Sequence, residues 1–414
     1  MRANVQLSTK FLTTQNAHQV GLLVSIGADA PVNRPPINVA LVLDRSGSMS
    51  GEPLAAAKDA AIRFARFLSP ADRLTIVAFD TSVLTVYGPR AGGDPSVEAA
   101  IRPIGPGGST NLSGGWLKGR SLVESKMVTG TNRVVLLTDG QANNGITDQA
   151  ELAALAGGAQ EKGVSTTTIG FGAGFNEDLL KAMSAAGHGN AWYVERTDQM
   201  TGIFDEEIEG LVTLAGQNVE VEIRLTHPQV QGVTMLQEYP VRRDPDGAWH
   251  VTLGDCLATS PLALGLVFHV EEVRSLGEAR LGDVIVRGDF LVPGGIEHRT
   301  TKLAVMANLD GADHLQPEVE RTLVRFQVAQ TRDQAVRAAD RGQFDEAATL
   351  MHRAASTLAS ACPEAGEEIA DLTAQAEQLR ERRYTSEDRK YNVAMKEAMF
   401  MSRMSYADKI RRPR

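Results

Sequence analysis

The hydrophobic pattern of this chain changes period near residue 216. Before that point, near-continuous apolar runs alternate with stretches of helical spacing. Ile37–Leu43, Leu74–Phe79 and Arg133–Leu137 are runs of the first kind, and each predicts a strand buried on both faces of a sheet. Val164–Phe171 and the short Ala191–Val194 add further strands, and Val83–Tyr87 forms a hairpin with the strand before it. Pro53–Leu68, Leu112–Lys126, Asp148–Lys162, Glu177–Ala186 and Met200–Ala215 read as helices, with a short one near Val97–Ile101. Strands alternating with helices predict an α/β fold, a doubly wound, mostly parallel sheet covered on both faces.

Beyond residue 216 the period falls to two. Val219–Leu225 alternates apolar and charged positions, and strand candidates follow at 230–236, 248–253, 262–271, 283–292 and 298–306. Short alternating strands divided by Gly, Pro and Asp predict a β-sandwich. Residues 3–12 and 19–27 read as two more strands, which cannot bury their apolar faces alone. Pairing with the later β-region would make the α/β domain an insertion into the sandwich. Extension of the α/β sheet at one edge is the alternative.

From Leu315 the chain turns rich in Ala, Arg, Glu and Gln, which favours helix. Ala335–Ala348 reads as helix, glycine turn, helix, and resembles one tetratricopeptide unit. A single copy makes no solenoid, so a hairpin packed on its own domain is expected. Residues 367–383 resume the helix. Tyr391–Met404 gathers Met395, Met399, Met401 and Met404 around Phe400, either to fill a groove on the parent protein or to offer an adaptable partner face. The expected division is 1–33, strands pairing with the sandwich; 34–215, the α/β domain; 216–310, the sandwich; and 311–414, a helical domain with a basic tail.

Composition narrows the function. A net charge of −9 argues against general nucleic-acid binding, which needs a basic face. No apolar stretch approaches the ~18–20 residues that span a bilayer. Met1–Leu7 lacks the apolar core of a secretory signal, and the two cysteines, Cys256 and Cys362, are far apart. A reducing, cytoplasmic location is the expectation.

The candidate chemistry lies at the ends of the apolar runs. The first run ends in Asp44, Ser46 and Ser48 at alternate positions. Ligands bind at the carboxyl ends of strands in open α/β sheets, and one carboxylate with two hydroxyls suits a small hard cation; taken alone, the run reads equally as a helix N-cap with a polar turn. Gly107-Gly108-Ser109-Thr110-Asn111-Leu112 is a glycine-rich loop that presents a hydroxyl ahead of a helix, and Arg133–Leu137 runs on into Thr138-Asp139-Gly140. In this order the three segments resemble the von Willebrand factor A (VWA) family, over about residues 34–212, with its Rossmann-like sheet. The layout of the whole chain is similar to bacterial relatives of inter-α-trypsin inhibitor heavy chains.

The resemblance implies a metal-ion-dependent adhesion site. Ser46, Ser48 and Thr110 would supply hydroxyl oxygens to the metal, with Asp44 and Asp139 acting largely through waters or hydrogen bonds to those hydroxyls. Mg²⁺ is the expected ion, with Mn²⁺ or Ca²⁺ as alternatives. The partner would be a protein presenting Asp or Glu; by analogy with intracellular bacterial members, an AAA+ ATPase or a kinase and phosphatase pair. Glu52 is the one acid just past the last serine, so no adjacent second metal site is expected and Glu52 is read as opening the next helix.

Other chemistry is not legible. There is no H-E-x-x-H and no G-x-x-x-x-G-K-[ST], Gly170–Gly174 fits a strand-to-helix turn, and His188 reads as a loop residue. The expectation is a non-enzymatic interaction module. An exported adhesion or surface protein and a scaffold with a vestigial metal site are the competing readings.

Overall fold

A computed structural model describes all residues except 9–17, 30–33, 173, 272–276, 293–294, 309–315, 402–406, 408–409 and 411–414. Residues 9–12 of the first expected strand, Met404 and the end of the basic tail thus lie outside the described residues. The chain divides into two compact units. One comprises Met1–Ala30, Ala215–Phe290 and Glu297–Ala407; the other is Pro31–Leu214 with the short pieces Leu291–Ile296 and Asp408–Arg414.

The first two strands, β1 (Arg2–Leu7) and β2 (His18–Gly27), belong to the first unit. The second unit then builds a six-stranded sheet from β3 (Ile37–Asp44), β4 (Arg73–Phe79), β5 (Val83–Ala91), β6 (Thr131–Thr138), β7 (Ser165–Phe171) and β8 (His188–Val194). Its order is β5-β4-β3-β6-β7-β8, parallel throughout except for the β4–β5 hairpin. Its helices are α1 (Glu52–Phe67), α2 (Ser96–Ile101), α3 (Leu112–Glu124), α4 (Gln149–Gln160), α5 (Glu177–Ala186) and α6 (Thr197–Val212).

Every residue of β3, β6 and β7 is buried, because helices cover both faces. On one face α3 comes close: a Cβ on Gly119 would stand 2.5 Å from Val42 Cγ2, and Trp116 Nε1 donates to Thr166 Oγ1 at 3.2 Å. Thr168 Oγ1 donates to the Leu180 carbonyl of α5 on that same face. On the opposite face Thr167 Oγ1 donates to Glu207 of α6, and Phe64 of α1 meets Phe204 of α6 edge to face at 6.4 Å. A run of three threonines inside a buried strand is tolerated because each hydroxyl has a partner.

Glu207 is the polar centre of the α6 face. Its Oε1 accepts from Arg133 Nη1 at 3.1 Å and Thr167 Oγ1 at 2.8 Å, and its Oε2 accepts from Asn190 Nδ2 and Trp192 Nε1, both at 2.8 Å. Arg133 and Glu207 are 2% and 0% exposed, so this is a fully buried ion pair.

Two expectations are corrected here. The helix read as Met200–Ala215 stops at Val212, where Thr213 donates both N–H and Oγ1 to the Glu209 carbonyl; Leu214 already opens the next strand. His188 is the first residue of β8 rather than a loop residue, at a positive φ of 50°.

The later strands, which lie in the first unit apart from Leu214 and the residues of 291–296, are β9 (Leu214–Leu225), β10 (Val230–Met235), β11 (Val241–Arg243), β12 (Trp249–Leu257), β13 (Leu262–Val270), β14 (Glu278–Val292) and β15 (Gly295–Asn308). They form two sheets with the N-terminal strands, ordered β1-β2-β13-β10 and β11-β12-β9-β14-β15. Val20, Leu22, Val24 and Ile26 of β2 meet Val219, Val221, Val284 and Val286 in the core between the sheets. Leu23 points the other way, into a second core shared with the helices α7 (Pro317–Asp340), α8 (Phe344–Ala361), α9 (Gly366–Arg380) and α10 (Ser386–Phe400).

The sheet is made to receive these helices. Cβ atoms on Gly21 and Gly265 would stand 2.4 Å from Leu323 and 2.6 Å from Phe326 of α7. Gln237 ties α10 to the sheet, accepting from Gly265 N–H at 2.7 Å and donating to the carbonyls of Ala263 and Phe400 at 2.8 and 2.9 Å. Met395 and Met399 are buried, which removes them as a partner-binding face.

Candidate metal centre

The parallel register brings the carboxyl ends of β3, β4 and β6 to one rim. Asp44, the last residue of β3, pairs with Phe79 of β4, and Leu43 pairs with Leu137 of β6. Asp80 and Asp139, each just past a strand end, therefore stand beside Asp44. Two of the three motif loops leave from this rim, the binding edge of the doubly wound topology; the third, between α2 and α3, is tied to it by Gly107 N–H donating to the Arg45 carbonyl and Asn111 N–H to the Asp80 carbonyl.

The five candidate residues come together. Asp44 Oδ1 accepts from the Ser46 N–H at 2.7 Å, which folds Gly47–Met49 into a turn of 3₁₀ helix, and its Oδ2 accepts from Thr138 Oγ1 at 2.5 Å. The Ser46 and Ser48 hydroxyls are 3.2 Å apart, and Ser48 Oγ donates to Asp139 Oδ1 at 2.8 Å. Thr110 joins through the residue after Asp139: a Cβ on Gly140 would stand 3.0 Å from Thr110 Oγ1. Asp44, Ser46 and Thr110 are buried, whereas Ser48 is exposed and Asp139 half-buried, so the cluster opens to solvent on the side of those two. Glu52 is the first residue of α1, where its charge suits the helix dipole.

The threonine loop has no regular structure, yet every backbone N–H from 107 to 111 has a protein acceptor. Gly107 donates to the Arg45 carbonyl at 2.6 Å and Gly108 to Asp80 Oδ2 at 2.9 Å. Ser109 donates to Thr81 Oγ1 at 2.9 Å, Thr110 to Asn143 Oδ1 at 3.1 Å, and Asn111 to the Asp80 carbonyl at 3.0 Å. A glycine-rich loop that cradles phosphate must aim such N–H groups at its ligand. Here they are all engaged elsewhere, and the loop offers a hydroxyl.

Electrostatics point the same way. Burial pushes the Asp44 carboxyl above its ordinary range, against hydrogen bonds from Thr138 and Ser46 that pull it down. Burial also raises Asp139, and the charge of Asp44 adds to the effect. Arg45, the cation on the same loop, is committed to Asp80, with its Nη2 3.1 Å from Oδ1. The cluster thus gathers two carboxyls whose charge is poorly compensated by the chain itself.

The donor set fits a small hard cation. It is all oxygen, and the 3.2 Å between the Ser46 and Ser48 hydroxyls is close to the ~2.9 Å between adjacent corners of an octahedron with ~2.05 Å bonds. Among the described residues no group of three His, Cys, Asp or Glu is placed to hold a metal ion.

Asp80, Thr81 and Asn143 were not singled out from the sequence. Asn143 Oδ1 also accepts from Ser109 Oγ, and Asp80 Oδ1 accepts from both N–H and Oγ of Ser82. The available signal was position: Asp80 follows a buried strand at the same rim as Asp44 and Asp139.

Comparison with known proteins agrees with the fold. Residues 38–206 match the von Willebrand factor type A domain. An uncharacterized protein of Synechocystis sp. is 24% identical over 82% of both chains. Human inter-alpha-trypsin inhibitor heavy chain H1 is 24% identical over 49% of this chain, which spans only 23% of that protein. Two solved structures share the fold over most of their length at 16% identity. A von Willebrand factor type A protein from Catenulispora acidiphila has a TM-score of 0.67, covering 92% of this chain and 88% of that one. The ArnB paralog VWA2 from Sulfolobus acidocaldarius has a TM-score of 0.60, with 98% of each chain covered. No helix among the described residues is long and apolar enough to cross a membrane.

Proposed function

This chain carries a von Willebrand factor type A domain, and on that premise we propose that it is a metal-ion-dependent protein-interaction module. Ser46, Ser48 and Thr110 would hold Mg²⁺ through their hydroxyls, with Asp44 and Asp139 balancing its charge. When bound, the ion supplies a Lewis-acidic position that accepts a carboxylate oxygen from a partner's Asp or Glu. The residues of this chain do the rest. Asp44 fixes the serine turn, Asp139 orients the Ser48 hydroxyl, and the exposed Ser48 leaves one side open to a visitor.

The observation that carries the reading is the convergence of five oxygen-bearing side chains from three loops at one open rim. As partner we propose a protein with an exposed acidic side chain, an AAA+ ATPase or a member of a kinase and phosphatase pair being the expected classes.

Titration calorimetry with Mg²⁺ tests the site, and Mn²⁺ paramagnetic resonance tests the open position. The wild-type chain should bind one ion, Asp139→Ala should lose it with the far-UV circular dichroism unchanged, and a Glu-bearing peptide should alter the bound-Mn²⁺ spectrum. Absence of saturable binding by the wild type would leave a scaffold with a vestigial site instead.

A further inference from the structure

The Thr110 loop is fixed from outside, and two side chains do most of that work. Asp80 receives Gly108 N–H on Oδ2, and Ser82 N–H, Ser82 Oγ and Arg45 Nη2 on Oδ1, while its own carbonyl receives Asn111 N–H. It therefore ties the β4–β5 turn, the serine loop and the threonine loop together. The fit leaves no slack, since a Cβ on Gly107 would fall 1.9 Å from Asp80 Oδ2. Arg45 completes the tie by donating to the Gly105 carbonyl. On the other side Asn143 receives Thr110 N–H and Ser109 Oγ on a single oxygen, and its own N–H donates to the Thr110 carbonyl at 3.4 Å.

Resting on the metal-site reading above, we propose that Asp80 and Asn143 are positioning residues, which jointly set where the Thr110 hydroxyl stands relative to Ser46, Ser48 and Asp139. Neither presents an oxygen to the ion. They act by holding Gly108 and Thr110, two residues apart, from opposite sides of the loop. A hydroxyl is a neutral and weak ligand, so its contribution depends on being already in place. Loss of such outer partners typically lowers metal affinity by about 10–100-fold.

A second carboxylate in the same unit provides the control. Asp72 also accepts a dense set of donors, from Arg34, Ile37 N–H and Ser69, but at the far end of β3 from Asp44. Asp72→Asn should therefore lower thermal stability without moving metal affinity.

The test is Mn²⁺ affinity, read by paramagnetic resonance, beside the melting temperature of the metal-free chain. Asp80→Asn and Asn143→Ala should each weaken Mn²⁺ binding by about tenfold or more. Asn143→Asp keeps the acceptor oxygen and should restore wild-type affinity or better. Asp72→Asn should bind as the wild type does. Should Asn143→Ala and Asp80→Asn bind Mn²⁺ within twofold of the wild type, the positioning role is wrong while the metal site stands. Equal weakening by Asp72→Asn would also overturn it, because the effect would then follow stability alone. No saturable binding by the wild-type chain would overturn both readings.

Discussion

Glu207→Gln offers a stringent check on how the VWA unit is held together. The carboxylate occupies both its oxygens with Arg133 of β6, Thr167 of β7 and Asn190 and Trp192 of β8. An amide has nearly the same shape but turns one oxygen into a donor. With the nitrogen at the Oε2 place, Asn190 Nδ2 and Trp192 Nε1 both face a donor; at the Oε1 place Arg133 Nη1 does, since the Thr167 hydroxyl can turn to accept. Each buried donor left without an acceptor costs about 1–3 kcal/mol. Arg133, which also donates to Ser165 Oγ, loses the charge opposite it. Breaking a buried pair by removing one partner costs about 3–5 kcal/mol, so a loss of that size is expected. Urea unfolding followed by tryptophan fluorescence is the assay, since Trp116 and Trp192 both lie buried in this unit. A loss below about 1 kcal/mol would refute the reasoning, by showing that the interior relaxes or admits water where the structure shows a closed network.

Further outcomes are expected elsewhere. Burial alone would raise the Asp80 carboxyl, but hydrogen bonds from Gly108 and Ser82 and the Arg45 charge hold it at about 2, against an ordinary 3.8. A depressed carboxyl stabilises the fold above its unfolded value and loses that contribution as pH falls through about 2. The gain is on the order of 2 kcal/mol, so the stability gap between wild type and Asp80→Asn should shrink between about pH 4 and pH 2. Saturating Mg²⁺ at a hundred times its dissociation constant should stabilise the VWA unit by about 2.7 kcal/mol, reversed by EDTA; an unchanged melting curve in millimolar Mg²⁺ would count against the site. Gln237→Ala should cost about 1–3 kcal/mol by orphaning the Gly265 N–H and freeing the end of α10. Hydrogen exchange should then rise in α10 before it rises in α7.

The α/β fold was legible because helices cover both faces of its central strands. Burial of that kind writes an unbroken apolar run such as Ile37–Leu43, and four of the five metal-site candidates follow the ends of such runs, Thr110 standing in the loop between α2 and α3. β2 was legible for a related reason, its alternate residues serving two different cores. Val241–Arg243 was not, because all three residues of β11 are exposed and carry no alternation. Asp80 and Asn143 left no spacing signature, since a side chain that holds a backbone N–H can come from any nearby loop. Glu207 was hidden for the opposite reason: in a helical stretch rich in acids, nothing local marks the one that turns inward.

The pairing of β2 with β13 joins Ile26 to Leu262, and this has a consequence for synthesis. At about 5–20 residues per second, a ribosome needs roughly 10–50 s to deliver the second strand after the first. Through that interval Val20, Leu22, Val24 and Ile26 have only β1 of their sheet beside them, while residues 31–214 are made. The apolar face of that strand pair thus stays open along the growing chain until β13 is delivered.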